Sequence, residues 1–217
     1  MKATLLVTTA LIGAAIFAPV PAHAVSVLWS FTSPPGNVGS TTHDYSSSPL
    51  GQVLTATAFG TGGNLFGKTG GGDEDGLGLA NGPDQEISGT NFIQLDVTKV
   101  NFIPNTLVSF QAGSTTDGEG WQIIGTNTPG INTGTILLSC TSPASGAGTC
   151  EDTKFFDRMG FNFLDVSAIG PAGSNILIAH LDAQAVPGPI VGAGLPGLIL
   201  ASGGLLALAR RRRKLVV

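Results

Sequence analysis

The sequence predicts an all-β fold, an antiparallel two-layer β-sandwich with a jelly-roll-like arrangement. Three observations carry that expectation. Short runs of β-branched and aromatic residues recur between clusters of Gly, Asn, Ser, Thr and Pro, as strands recur between turns. Several of those runs alternate polar with apolar residues, the period of a sheet with one face packed and the other in water. No segment of the body shows an apolar period of about 3.6 residues, the mark of an amphipathic helix.

The elements follow in order. VSVLWSF (25–31) is rich in β-branched and aromatic residues. SFTSPPGNVGSTTHDYSSSPLG (30–51) is polar, and it reads as a surface loop or loose crossing. QVLTATAF (52–59) alternates, with Val53, Thr55, Thr57 and Phe59 on one side. NFIQLDV (91–97) sets Phe92 and Gln94 opposite Ile93, Leu95 and Val97. TLVSFQAG (106–113), GWQIIG (120–125), GTILLSC (134–140) and NILIAHLDA (175–183) continue the series, and KFFDRMGFNFLDVSA (154–168) holds one or two strands more. About eight or nine short strands suit a sandwich. Trp29, Trp121 and the phenylalanines supply large apolar areas for its core.

The two ends differ from this body. Residues 1–24 carry Lys2, an apolar run from Leu5 to Val20, and Ala22-His23-Ala24, the three parts of a secretory signal peptide cleaved before Val25. Near the other end, Val186-Pro187-Gly188-Pro189 precedes about 19 apolar or small residues, Ile190 to Leu208, enough for one helical span. Arg210, Arg211, Arg212, Arg213 and Lys214 follow, and such a cluster is held on the cytoplasmic side. Together the ends predict an exported domain at 25–185, anchored to the inner membrane by one C-terminal helix.

The segment 186–214 resembles the PEP-CTERM sorting signal of Gram-negative bacteria: a short Pro-containing motif, a span and a basic cluster. Gly188 stands where that family has Glu between the two prolines. The resemblance implies recognition by exosortase, a membrane protease-transpeptidase that cuts near the motif, and delivery to the cell surface or an extracellular polysaccharide matrix. NLFGKTGGGDEDGLGL, PDQEI, FIQLD and GEGWQIIG are similar to a pattern found in exported proteins of the same kind. That likeness implies a secreted β-rich domain and brings no catalytic residues with it.

Charge narrows the partners. The segment 25–185 holds all 14 acidic residues and four of the 10 basic ones, a net charge of −10 against −4 for the whole chain. Nucleic acid, whose phosphates need basic partners, is excluded by that balance. Cys140 and Cys150 flank TSPASGAGT, a pure turn composition, and outside the cytoplasm such a pair forms a disulfide. Closing so short a loop stabilises by about 2–3 kcal/mol on the chain-entropy model.

What surrounds each motif in the body decides its reading. Gly62, Gly67, Lys68 and Thr69 have P-loop spacing, but GGGDEDGLG follows where a helix would have to start. Glycines do not nucleate that helix and the carboxylates repel phosphate, so no nucleotide is expected. Asp73, Asp75, Gly78 and Asp84 fall at positions 1, 3, 6 and 12 of a calcium loop, with Leu77 at position 5 offering no side-chain oxygen. Two readings stay open there, a calcium site on Asp73, Asp75 and Asp84 or a solvated acidic turn. No nucleophile elbow, zinc-protease motif or Cys/His pair occurs. His43 and His180 read as structural or solvent-facing. The carboxylate pairs Asp117/Glu119 and Glu151/Asp152 are the residues a polysaccharide hydrolase would use. The expectation is a non-enzymatic surface or matrix protein with a structural or adhesive role and no cofactor other than calcium. A calcium-dependent carbohydrate-binding module and a matrix hydrolase are the alternatives, and an exopolysaccharide is the expected partner beside the exosortase.

Overall fold

A computed structural model describes residues 24–116, 118–143, 149–171 and 173–185. Most of the leader, Asp117, the motif at 186–189, the apolar run at 190–208 and the basic cluster at 210–214 lie outside the described residues.

Very few of the described residues lie in helix and about half lie in strands. In chain order these are β1 (Val25–Ser30), β2 (Gly36–Asn37), β3 (Thr42–Ser46), β4 (Val53–Phe59), β5 (Leu65–Thr69), β6 (Asp75–Leu79), β7 (Ile87–Ser88), β8 (Phe92–Asp96), β9 (Leu107–Gly113), β10 (Gly120–Thr126), β11 (Thr135–Thr141), β12 (Lys154–Asp157), β13 (Phe163–Ile169) and β14 (Asn175–Ala185). Two short 3-10 turns interrupt them, at Gly72–Glu74 and Pro83–Gln85. All the pairings are antiparallel. One sheet runs β12-β9-β14-β6-β5-β2, with β1 and β7 also paired to β14; the other runs β11-β10-β13-β8-β4-β3.

The sheets pack face to face over one core. Val27, Trp29, Phe110 and Leu181 from the first sheet join Leu54, Ile93, Trp121 and Leu164 from the second in a single buried cluster. Phe110 and Trp121 meet edge to face across it, their centroids 4.8 Å apart. Each buried indole N–H donates to a backbone carbonyl: Trp29 to Gln52 and Trp121 to Cys150, both at 2.9 Å. An indole can fill a core at little polar cost only if its N–H finds such a partner. The Cys140–Cys150 disulfide ties the end of β11 to the turn whose carbonyl takes the Trp121 proton.

Two expectations need correction, and one further stretch carries strands that the sequence did not assign. The polar stretch 30–51 is not all loop: β3 pairs with β4 along its length and buries Tyr45. The glycine-rich stretch from 65 to 79 is a hairpin, β5 with β6. Glycine there answers close approach. A Cβ on Gly67 would lie 2.2 Å from the Pro34 carbonyl oxygen, and one on Gly78 would lie 2.0 Å from that of Gln85. The outer face of the second sheet is also not fully wet. Phe92, Gln94, Asp165 and Ser167 are buried there, and the Gly130 N–H donates to Gln94 Oε1 at 3.1 Å, so the loop after β10 roofs that face.

Candidate functional site

The segment singled out by the sequence folds around one lysine. Lys68 on β5 reaches Glu74 and Glu86, and Ser114 donates to the second oxygen of Glu74 at 3.0 Å. The Glu86 side chain is 2% exposed, so its charge has little solvent and depends on Lys68. Burial pushes the Glu86 carboxyl up, against the pull of Lys68. Lys68 holds Glu74 below the usual carboxylate range. For Lys68, burial works against the charge, but the hydrogen bonds to both glutamates outweigh it and raise the ammonium. The lysine with P-loop spacing is therefore an internal ion-pair partner on a strand. No helix opens after Thr69, only the 3-10 turn Gly72–Glu74.

The three acidic residues proposed for calcium are not gathered. Asp75 accepts from the Gly71 N–H at 2.8 Å, and Asp73 and Asp75 line one wall of a cavity. Asp84 sits in the Pro83–Gln85 turn and does not line it. Among the described residues no group of three or more His, Cys, Asp or Glu is placed to hold a metal ion. Two of the hydrolase carboxylates, Glu119 and Glu151, hold loops, while Asp152 is exposed beside Lys154. Glu119 accepts from the Thr116 N–H and hydroxyl and from the Asn175 N–H, and Glu151 accepts from the Thr115 N–H at 2.7 Å.

The cavity at Asp73 and Asp75 opens onto a feature that sequence reasoning missed. It measures about 260 Å³ and is also lined by Ser30, Thr32, Gln111 and His180. A second cavity of about 230 Å³ shares Gln111 and His180 and adds Leu28, Ser109, Thr153 and Asp182. Both lie on the outer face of the first sheet. Alternation puts Val27, Val108, Leu181 and Phe156 in the core and turns their neighbours outward. Pairing then aligns those neighbours. Phe155 lies opposite Ser109, Ser109 opposite Asp182, and Asp182 opposite Leu28, which makes one row across β12, β9, β14 and β1. The next row is Gln111, His180 and Ser30. Phe155 is 63% exposed and Leu28 40%, so apolar groups stand at the two ends of a polar strip. His180 Nδ1 is buried with no hydrogen-bond partner. Neither cavity is lined by a lysine or arginine. The alternation at 106–113 and 175–183 was the available signal, but the rows depend on register between distant strands.

A larger cavity of about 480 Å³ lies at the end of the sandwich, between 102–108 and 157–160. Its one cation, Arg158, lies over the Phe102 ring, 4.4 Å from the centroid, and donates to the Phe161 carbonyl. Both contacts commit the guanidinium to the fold.

No family model and no curated protein matches the chain. Among solved structures it is similar to the K1 cleaved adhesin domain of Lys-gingipain from Porphyromonas gingivalis W83. The identity is 14%, and the match covers 75% of this chain and 96% of that one at a TM-score of 0.30. At that score the likeness shows neither fold nor role.

Proposed function

We propose that the chain is an exported, non-enzymatic surface or matrix protein, sorted by an exosortase-type membrane protease to a structural or adhesive role. The observation that supports the export part of this reading is the Cys140–Cys150 disulfide, with no free cysteine among the described residues. Reducing compartments keep such pairs open, whereas the periplasm and the cell surface let them close.

Strand pairing supports the route. Val25 and Ala185 are cross-strand partners on β1 and β14. A leader ending before Val25 and a tail starting after Ala185 would join the domain at one end, which would face the membrane. On this route residues 1–24 direct export, the apolar run at 190–208 stops transfer, and the cations from Arg210 to Lys214 hold the far side in the cytosol. The two prolines of Pro187-Gly188-Pro189 disfavour helix by their chemistry, and the protease would cut near them. Among the described residues no helix is long and apolar enough to cross a membrane.

The test is a reporter enzyme fused after Ala185, together with the intact mass of the protein recovered from the cell surface. Activity outside the cytoplasm and a mass lacking both ends are expected. A reporter active only in the cytoplasm ends the export reading, and a retained tail ends the sorting step.

A further inference from the structure

We propose that the outer face of β12, β9, β14 and β1 is a binding platform for a neutral polysaccharide chain. The row Phe155, Ser109, Asp182, Leu28 crosses four strands, a width of about 14 Å at about 4.8 Å between strands. That span suits a short stretch of oligosaccharide. The C–H face of a pyranose ring is apolar and packs on an exposed aromatic ring, and Phe155 offers one at the edge of the strip. The hydroxyls on the sugar rim need both donors and acceptors. Asp73, Asp75 and Asp182 accept, Gln111 donates and accepts, and the hydroxyls of Ser30, Thr32 and Ser109 do either. His180 stands at the junction of the two cavities with a ring nitrogen unpartnered.

The charge of the strip selects the ligand further. Three carboxylates with no lysine or arginine repel phosphate, sulfate and uronate groups. A cationic peptide would also be drawn to the carboxylates; the exposed Phe155 ring favours the sugar, and binding of a cationic peptide alone is the opposing outcome of the test. The inference deepens the adhesive role proposed above and rests on that role only for the source of the glycan, a neutral matrix polysaccharide.

The full chain, held in a detergent with no sugar headgroup, is titrated calorimetrically with cellohexaose, laminarihexaose, mannohexaose and, separately, hexalysine. At least one neutral hexasaccharide is expected to bind, with an affinity that hardly changes with salt. Phe155→Ala and Gln111→Ala should each weaken binding about tenfold or more. Ile136→Ala, on an exposed position of the other sheet, should leave it unchanged. Phe155 is exposed, so its loss leaves the fold intact and the reading clean. Binding of hexalysine alone, no binding of any hexasaccharide at millimolar concentration, or sugar binding untouched by both platform variants would each overturn the proposal. The titration involves no export, so its failure leaves the sorting route standing, and a failure of sorting leaves the titration unaffected.

Discussion

At the scale of single residues, two buried charges set the energetics. Lys68 serves two glutamates, and the side chain of Glu86 is nearly out of water. Removing the lysine leaves an uncompensated carboxylate inside the protein, a change that costs about 3–5 kcal/mol. Lys68→Ala is therefore expected to lower the unfolding free energy measured by urea titration by that amount at neutral pH, and Glu86→Gln in the same chain to restore part of it. A loss under about 0.5 kcal/mol would show that the pair carries no weight in the β5–β6 hairpin. Asp165 is the second case. It is fully buried on β13, Gln94 Nε2 donates to one of its oxygens at 2.7 Å, and the other oxygen has no partner. Burial pushes its carboxyl up to about 6. The folded chain thus holds this proton more tightly than the unfolded chain, whose aspartates titrate near about 3.9. Stability from Asp165 is present in full below about pH 4 and is lost as the pH rises through about 6. Asp165→Asn does not titrate. Between about pH 4 and pH 7 the stability difference between variant and parent should shift by about 2–3 kcal/mol in favour of the variant. Thermal melts at both pH values measure it, and a difference that stays constant would show the carboxylate is not desolvated.

At the scale of elements, what the sequence reveals depends on how local the cause is. β4, β8, β9 and β10 announce themselves through alternation or β-branched content, because side-chain direction within a strand is a local property. The disulfide is equally local, joining positions 10 residues apart across a turn-rich loop. β5 and β6 are hard to read because glycines interrupt them and contacts outside each strand fix their places: Gly67 by Pro34, Gly78 by Gln85, Lys68 by Glu86; β3 is hard to read because it is short and mostly polar. Tertiary contact overrides propensity in such strands. The acidic segment that holds Asp73 and Asp75 stood out by composition, but its neighbours in space, Gln111 and His180, did not. A register shift between Ile178 and His180 brings His180 opposite Gln111 on β9. A platform assembled from β12, β9, β14 and β1 is spread over most of the domain, so no short motif can encode it.

At the scale of the whole molecule, the last strand is the keystone. β14 pairs with β9 along one edge and with β6 and β1 along the other, and β7 joins its start. Its apolar residues Ile176, Ile178, Leu181 and Ala183 lie in the core between the sheets. The first sheet therefore has no centre until residues 175–185 are in place. β1 makes its only long pairing with residues at the far end of the domain, and contacts so distant in sequence form late. On the proposed route β14 clears the export channel as the apolar run behind it enters the bilayer, so folding of the sandwich and arrest of transfer would coincide. A chain ended after Ala185 keeps every described strand and should melt as cooperatively as the full chain. A chain ended after Ser174 loses β14 and should show no cooperative transition by circular dichroism and rapid digestion by protease. A cooperative melt of the shorter chain would mean that the two sheets close without their central strand, and the coupling of folding to membrane arrest would fail with it.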